Sequence, residues 1–123
     1  MIRQAEFTEQ IVASGLDDWV NELWVVRILQ QSGVVEPRML RPLTIALIAQ
    51  VVALNWMTPG RLVGSGEFAA WDLPLNESIL RVSAEWRPEW PAEALQPGQI
   101  VWLANTATGD EIARKVIEDG LTD

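Results

Sequence analysis

A chain of 123 residues in which nine Lys+Arg face seventeen Asp+Glu carries a formal charge of −8, with no His and no Cys. Those two absences remove disulfide frameworks, thiolate nucleophiles, thiolate-held metals and the usual general base near neutral pH. An apolar share of 49% with 21% charged residues belongs to a folded chain, and the length suits one domain, residues 1–123, with 1–16 expected as a mobile start.

The first predicted helix runs from about Asp17 to Gln31. Asp17 and Asp18 suit its first turn, where free N–H groups and the helix dipole favour negative charge. Trp19, Leu23, Val26 and Leu29 or Ile28 then face inward at helical spacing, and Ser32-Gly33 ends the run. Glu36-Pro37 opens a short turn or helix through Leu40. Pro42 begins the next helix, which is apolar on almost every side from Leu43 to Trp56 and is expected to form the core. Two short strands around Gly64-Ser65-Gly66, within Thr58–Trp71, predict a β-hairpin. A further helix starts at Asp72–Glu77 and carries Leu75, Ile79, Val82 and Trp86 until Pro88 stops it. Glu89 to Gly98 reads as an exposed connector, and Ile100–Ala104 fits a strand or a short buried helix equally. Thr108 and Glu111 have capping-box spacing for a last helix that ends at Gly120.

Helices followed by a hairpin is the order of a winged helix. The expected fold is therefore α+β and mainly helical: winged-helix-like helices plus a β-hairpin, with additional C-terminal helices. In DNA-binding members the third helix enters the major groove with polar side chains, which the Ile-, Leu-, Val- and Ala-rich stretch here does not offer. The segments Pro59-Gly60-Arg61-Leu62, Trp71-Asp72-Leu73 and Trp102-Leu-Ala-Asn-Thr106 resemble those of small uncharacterised bacterial winged-helix-like proteins. Small, acidic, Trp-bearing proteins of this kind also resemble immunity proteins of bacterial toxin delivery systems. That resemblance implies a protein that binds and blocks a toxin domain, often a nuclease.

The N-terminal segment lacks the basic start and apolar core of a signal peptide, and the longest apolar stretch, Leu43–Leu54, is shorter than the ~18–20 residues that cross a bilayer. A cytoplasmic protein is expected, without a membrane partner. Nucleic acid is disfavoured by the net charge, because duplex binders carry basic faces. A local patch of Arg38, Arg41 and Arg61 keeps open an alternative, a winged-helix transcription regulator.

Two acidic patches are the candidate surface for a basic protein partner: Asp17, Asp18 and Glu22, and the segment with Glu85, Arg87, Glu89 and Glu93. Carboxylates facing a basic cleft speed association and suppress wrong partners. Six of the seven Trp sit at core spacing; Trp90, between Glu89 and Pro91, reads as an exposed interface anchor or as a lid folded over the core. No catalytic residue, cofactor or metal is expected. Gly64-Ser65-Gly66 has no following Lys to make a phosphate loop, and Asp17/Asp18 and Asp110/Glu111 lack the ligand count of a calcium site.

Overall fold

The computed structural model describes residues 6–120. In chain order its elements are α1 (Phe7–Ser14), β1 (Val20–Asn21), α2 (Glu22–Gln31), α3 (Pro37–Ala53), β2 (Met57–Val63), β3 (Glu67–Ala70), α4 (Leu75–Glu85), a 3₁₀ turn (Ala92–Ala94), β4 (Trp102–Asn105) and α5 (Ala107–Glu118). The architecture is the mainly helical α+β one expected, with five helices around a four-stranded antiparallel sheet.

Helix boundaries follow local hydrogen-bond chemistry, and several differ from the sequence expectation for that reason. The start expected to be mobile is helical from Phe7: Ile11 and Val12 are wholly buried and α1 packs on α5. Residues 1–5 lie outside the described residues. The helix expected from Asp17 begins only at Glu22, because Asn21 is the better cap; its side-chain oxygen accepts from the N–H groups of Leu23 (2.9 Å) and Trp24 (3.2 Å). Val20 and Asn21 are thereby freed for a strand. At the other end Gly33 takes φ +100° and Val34 N–H reaches back to Leu29 O at 3.0 Å, the expected left-handed stop.

Pro42 does not begin a helix. The helix starts at Pro37, and Pro42 lies inside it. A proline there leaves Arg38 O without its usual donor and crowds that carbonyl. The loss falls in the first turns, where Met39 N–H already bonds to Glu36 O (2.9 Å) and Pro42 itself is exposed. At its C-terminus Asn55 adopts φ 60° and Trp56 N–H bonds to Val51 O at 3.0 Å. For α5 the cap is Thr106, whose Oγ1 accepts from Gly109 N–H at 3.0 Å, in place of the expected Thr108. Gly120 follows the helix at φ +70°, near the expected end.

The predicted hairpin is present, with Leu62 opposite Phe68 and Val63 opposite Glu67. The sheet order is β1-β4-β2-β3. The ambiguous Ile100–Ala104 stretch thus yields a strand, and that strand sits inside the sheet. β4 pairs Leu103 with both Val20 of β1 and Pro59 of β2, and Leu103 is wholly buried.

α3 is the hub of the core, touching α1, α2, α4 and β2. Its buried face is Leu40, Thr44, Leu47, Ile48 and Val51, while Ala46, Gln50, Ala53 and Leu54 face outward, so it is covered on fewer sides than its composition suggests. Leu29, Val82, Trp86 and Met57 close the core around it, each aliphatic side chain contributing roughly 1.5–3 kcal/mol through removal from water. The expectation of six core tryptophans holds for Trp71 and Trp86, and partly for the half-buried Trp56 and Trp102. Trp19 and Trp24 are exposed, at 38% and 42%. With α2 beginning at Glu22, its inward face is Glu22, Val25, Val26, Ile28 and Leu29, which turns Trp24 outward and leaves Trp19 ahead of the helix altogether. No helix among the described residues is long and apolar enough to cross a membrane.

Candidate functional site

The acidic residues singled out in the sequence separate into three situations. Glu22 leaves the surface entirely. It is 0% exposed, and its carboxyl oxygens accept from the N–H groups of Gly98 (2.8 Å), Ile100 (3.0 Å) and Val101 (2.9 Å). Burial pushes its pKa above the ordinary value of 4.5, while the N–H groups of Val101, Gly98, Ile100 and Glu22 itself pull the other way. Its expected place in a partner-binding face is therefore corrected: Glu22 is an internal brace.

In the second patch two of the three carboxylates are charge-compensated. Glu85 pairs with Arg81 (3.1 Å) and Glu89 with Arg87 (2.9 Å), and Glu93 is exposed on the 3₁₀ turn. Trp90 is half-buried against the core, its carbonyl accepts from Trp86 Nε1–H (3.0 Å), and the Arg87 guanidinium lies 5.7 Å from its ring centre. Trp90 folds over the core, as one of its two readings expects, while part of its surface stays accessible. Trp90 and Glu89 share a groove of about 430 Å³ with Arg38 and Arg41. Residues assigned by sequence to opposed hypotheses thus line one surface of mixed charge. Arg41 is engaged there: Nε–H donates to Trp86 O (2.7 Å) and Nη2–H to Ser83 O (2.9 Å). Arg38 is exposed beside Glu36 (3.5 Å), and Arg61 is exposed on β2, outside that groove.

Asp17 and Asp18 are in the third situation. They line a cleft of about 390 Å³ together with Gly15, Leu16, Trp19, Ala104, Asn105 and Asp110. One wall is the turn between α1 and β1, where Asp18 Oδ1 accepts from Trp19 N–H at 2.7 Å. The other is the end of β4 and the first turn of α5. The walls are tied by Asn105, whose Nδ2–H donates to Val12 O at 2.9 Å. Gly15 allows this closeness, since a Cβ there would collide with Asn105 Oδ1. Trp19 stands at the rim, 6.1 Å from the Phe68 ring of β3. None of the three aspartates has a basic side chain within 4.0 Å among the described residues.

Chemically this is a concave surface of unpaired negative charge with an aromatic edge. Such a surface suits a cationic side chain, which gains from the carboxylates and can lie against the indole face. The described residues include no group of three or more acidic side chains placed to hold a metal ion. Asp110 joins the site although the sequence singled it out only with Glu111, as a carboxylate pair too small for a calcium site; nothing local in the sequence reveals that α5 begins beside the Asp17–Asp18 turn. Compared with known proteins, the chain matches no family model, no curated protein and no solved structure.

Proposed function

We propose that the protein is a non-enzymatic, cytosolic binding protein that engages a basic protein partner through the Asp17–Asp18–Trp19–Asp110 cleft, and that it acts as an immunity protein neutralising a toxin domain such as a nuclease. The observation that carries this reading is the contrast between patches. The carboxylates of Glu85 and Glu89 face arginines of their own segment, whereas the three aspartates of the cleft are left uncompensated on a chain of −8. Unpaired charge at a recess raises the association rate with an oppositely charged partner, and an exposed Trp at its rim supplies the apolar anchor that most interfaces need.

The experiment is a pull-down against the product of the adjacent upstream gene, followed by association kinetics at two salt concentrations. Asp17→Asn, Asp18→Asn and Asp110→Asn together keep the side-chain size and remove the charge. The combined variant is expected to associate about tenfold more slowly and with a shallower salt dependence. Reversal of Glu85, Glu89 and Glu93 to Lys is expected to change the rate less. No binding at micromolar concentration counts against the immunity reading, and unchanged kinetics in the aspartate variant counts against the cleft.

A further inference from the structure

The four-stranded sheet has two faces, and the core uses one of them. Strand alternation puts Val20, Met57 and Leu103 on the side that joins the buried cluster. On the other side the same registers align Thr58, Leu62, Phe68, Trp102 and Ala104, with Trp19 just ahead of β1. Among the described residues, none of these six belongs to the buried cluster or packs against it, and none is charged on a chain of −8. The aromatic rings lie low over small neighbours. Phe68 occupies space that a Cβ on Gly60 would need, Trp102 does the same at Gly98, and Trp19 stands 6.1 Å from Phe68. Phe68 and Trp102 are half-buried and Trp19 is exposed, so the outer surfaces of the rings are open to a second layer. The face also runs into the aspartate cleft, because Trp19 and Ala104 line both.

We infer that the basic partner docks an amphipathic helix on this open sheet face, with its apolar stripe over Trp19, Phe68 and Trp102 and its Lys or Arg side chains at Asp17, Asp18 and Asp110; this rests on the reading of the cleft given above. The surface is apolar where it is flat and anionic at one edge, so the cover that matches it is an apolar stripe bordered by cations. A helix suits it for a backbone reason. Its N–H and C=O groups are paired internally, so it lies on a sheet through side chains alone, whereas an extended segment finds backbone partners only at a strand edge. Four strands spaced about 4.8 Å apart make a face about 14 Å wide, which about ten residues of helix span at about 1.5 Å each. A second copy of this chain matches less well. It brings another uncharged face and a further −8, and leaves the three aspartates without cations.

The test is NMR titration of the unsubstituted full chain with three synthetic helical peptides of about fourteen residues, long enough to cross the face. One carries Leu on one side and Lys on the other; the second has Ala in place of every Leu, and the third has Glu in place of every Lys. The Leu/Lys peptide is expected to shift the indole N–H groups of Trp19 and Trp102 and the amides of Leu62 and Phe68 together with those of Asp17 and Asp110. It is also expected to bind at least about tenfold more tightly than either of the others. Shifts confined to the cleft, with the Ala/Lys peptide binding as well as the Leu/Lys one, overturn the sheet-face docking and leave the cleft reading standing. Shifts confined to the sheet face, with the Leu/Glu peptide binding equally well, overturn the basic partner and the cleft reading with it. Sedimentation of the chain alone supplies the remaining outcome: a dimer whose dissociation on dilution moves the same indole N–H groups assigns the face to a second copy and overturns the inference.

Discussion

Arg41 offers the sharpest test of how the helices are held together. Its guanidinium bridges α3 to the end of α4, donating from Nε to Trp86 O at 2.7 Å and from Nη2 to Ser83 O at 2.9 Å. Ser83 O belongs to the last turn of α4, where carbonyls lack intrahelical donors, Trp86 O to the residue that caps it, and a cation there also meets the negative end of the helix dipole. Arg41→Ala removes both bonds while keeping a good helix former in α3. Hydrogen bonds to a charged group contribute about 1.5–3 kcal/mol each, and the partial exposure of Arg41 lets water recover some of that, so the expected loss is about 2–3 kcal/mol. With a urea dependence of roughly 2 kcal/mol per molar, the unfolding midpoint falls by about 1–1.5 M. Arg41→Lys keeps the charge near α4 but loses the fork, and is expected to recover less than half of the difference. A midpoint unmoved in Arg41→Ala, or fully restored in Arg41→Lys, refutes the reasoning. So does a low-salt gel shift that depends on Arg41 while stability does not change, because the side chain would then be a phosphate contact.

Further outcomes follow from other parts of the fold. Glu22→Ala strips three N–H groups, two of them buried, of their acceptor and is expected to lose about 3–5 kcal/mol by urea unfolding, with Glu22→Gln losing less because one oxygen remains. Because the folded-state pKa of Glu22 is raised, its contribution to stability is full below 4.5 and declines as the pH rises through the folded midpoint; unfolding curves in that range are expected to show the decline and Glu22→Gln to lack it. Gly98→Ala combines φ +76° with a Cβ driven into the Trp102 indole, so a loss of about 2 kcal/mol or more is expected by the same assay. Trp86→Ala empties a fully buried site and is expected to cost about 3–5 kcal/mol, whereas Trp19→Ala at the cleft rim is expected to leave stability within about 1 kcal/mol and to weaken partner binding instead.

Much of the fold was legible from residues whose signals are local. Gly33 stopping α2, the Gly64-Ser65-Gly66 turn and the Leu75–Trp86 spacing each depend on a few neighbouring residues, and each appears where expected. The misplaced boundaries share a cause, a competition that sequence shows only on one side. Asp17 and Asp18 are good helix-start residues, but Asn21 caps the helix four residues later, and Val20 and Asn21 then pair with a strand about eighty residues away. Glu22 illustrates the same limit for function. A glutamate between asparagine and leucine reads as an exposed acid until the backbone of residues 98–101 is folded over it. Asp110 entered the site for the converse reason, since only the packing of α1 on α5 brings it near Asp17.

The place of β4 in the sheet carries a consequence for biosynthesis. β1 and β2 are made early, yet they do not pair with each other, and the strand that joins them is translated some forty residues after β2 ends. Until residues 98–105 emerge from the ribosome, Glu22 lacks its donors and two strand edges stand open. The helices can gather as they are made, but the sheet must close from the middle and late, and a nascent chain paused before β4 would present unpaired edges to whatever chaperone or sticky neighbour it meets.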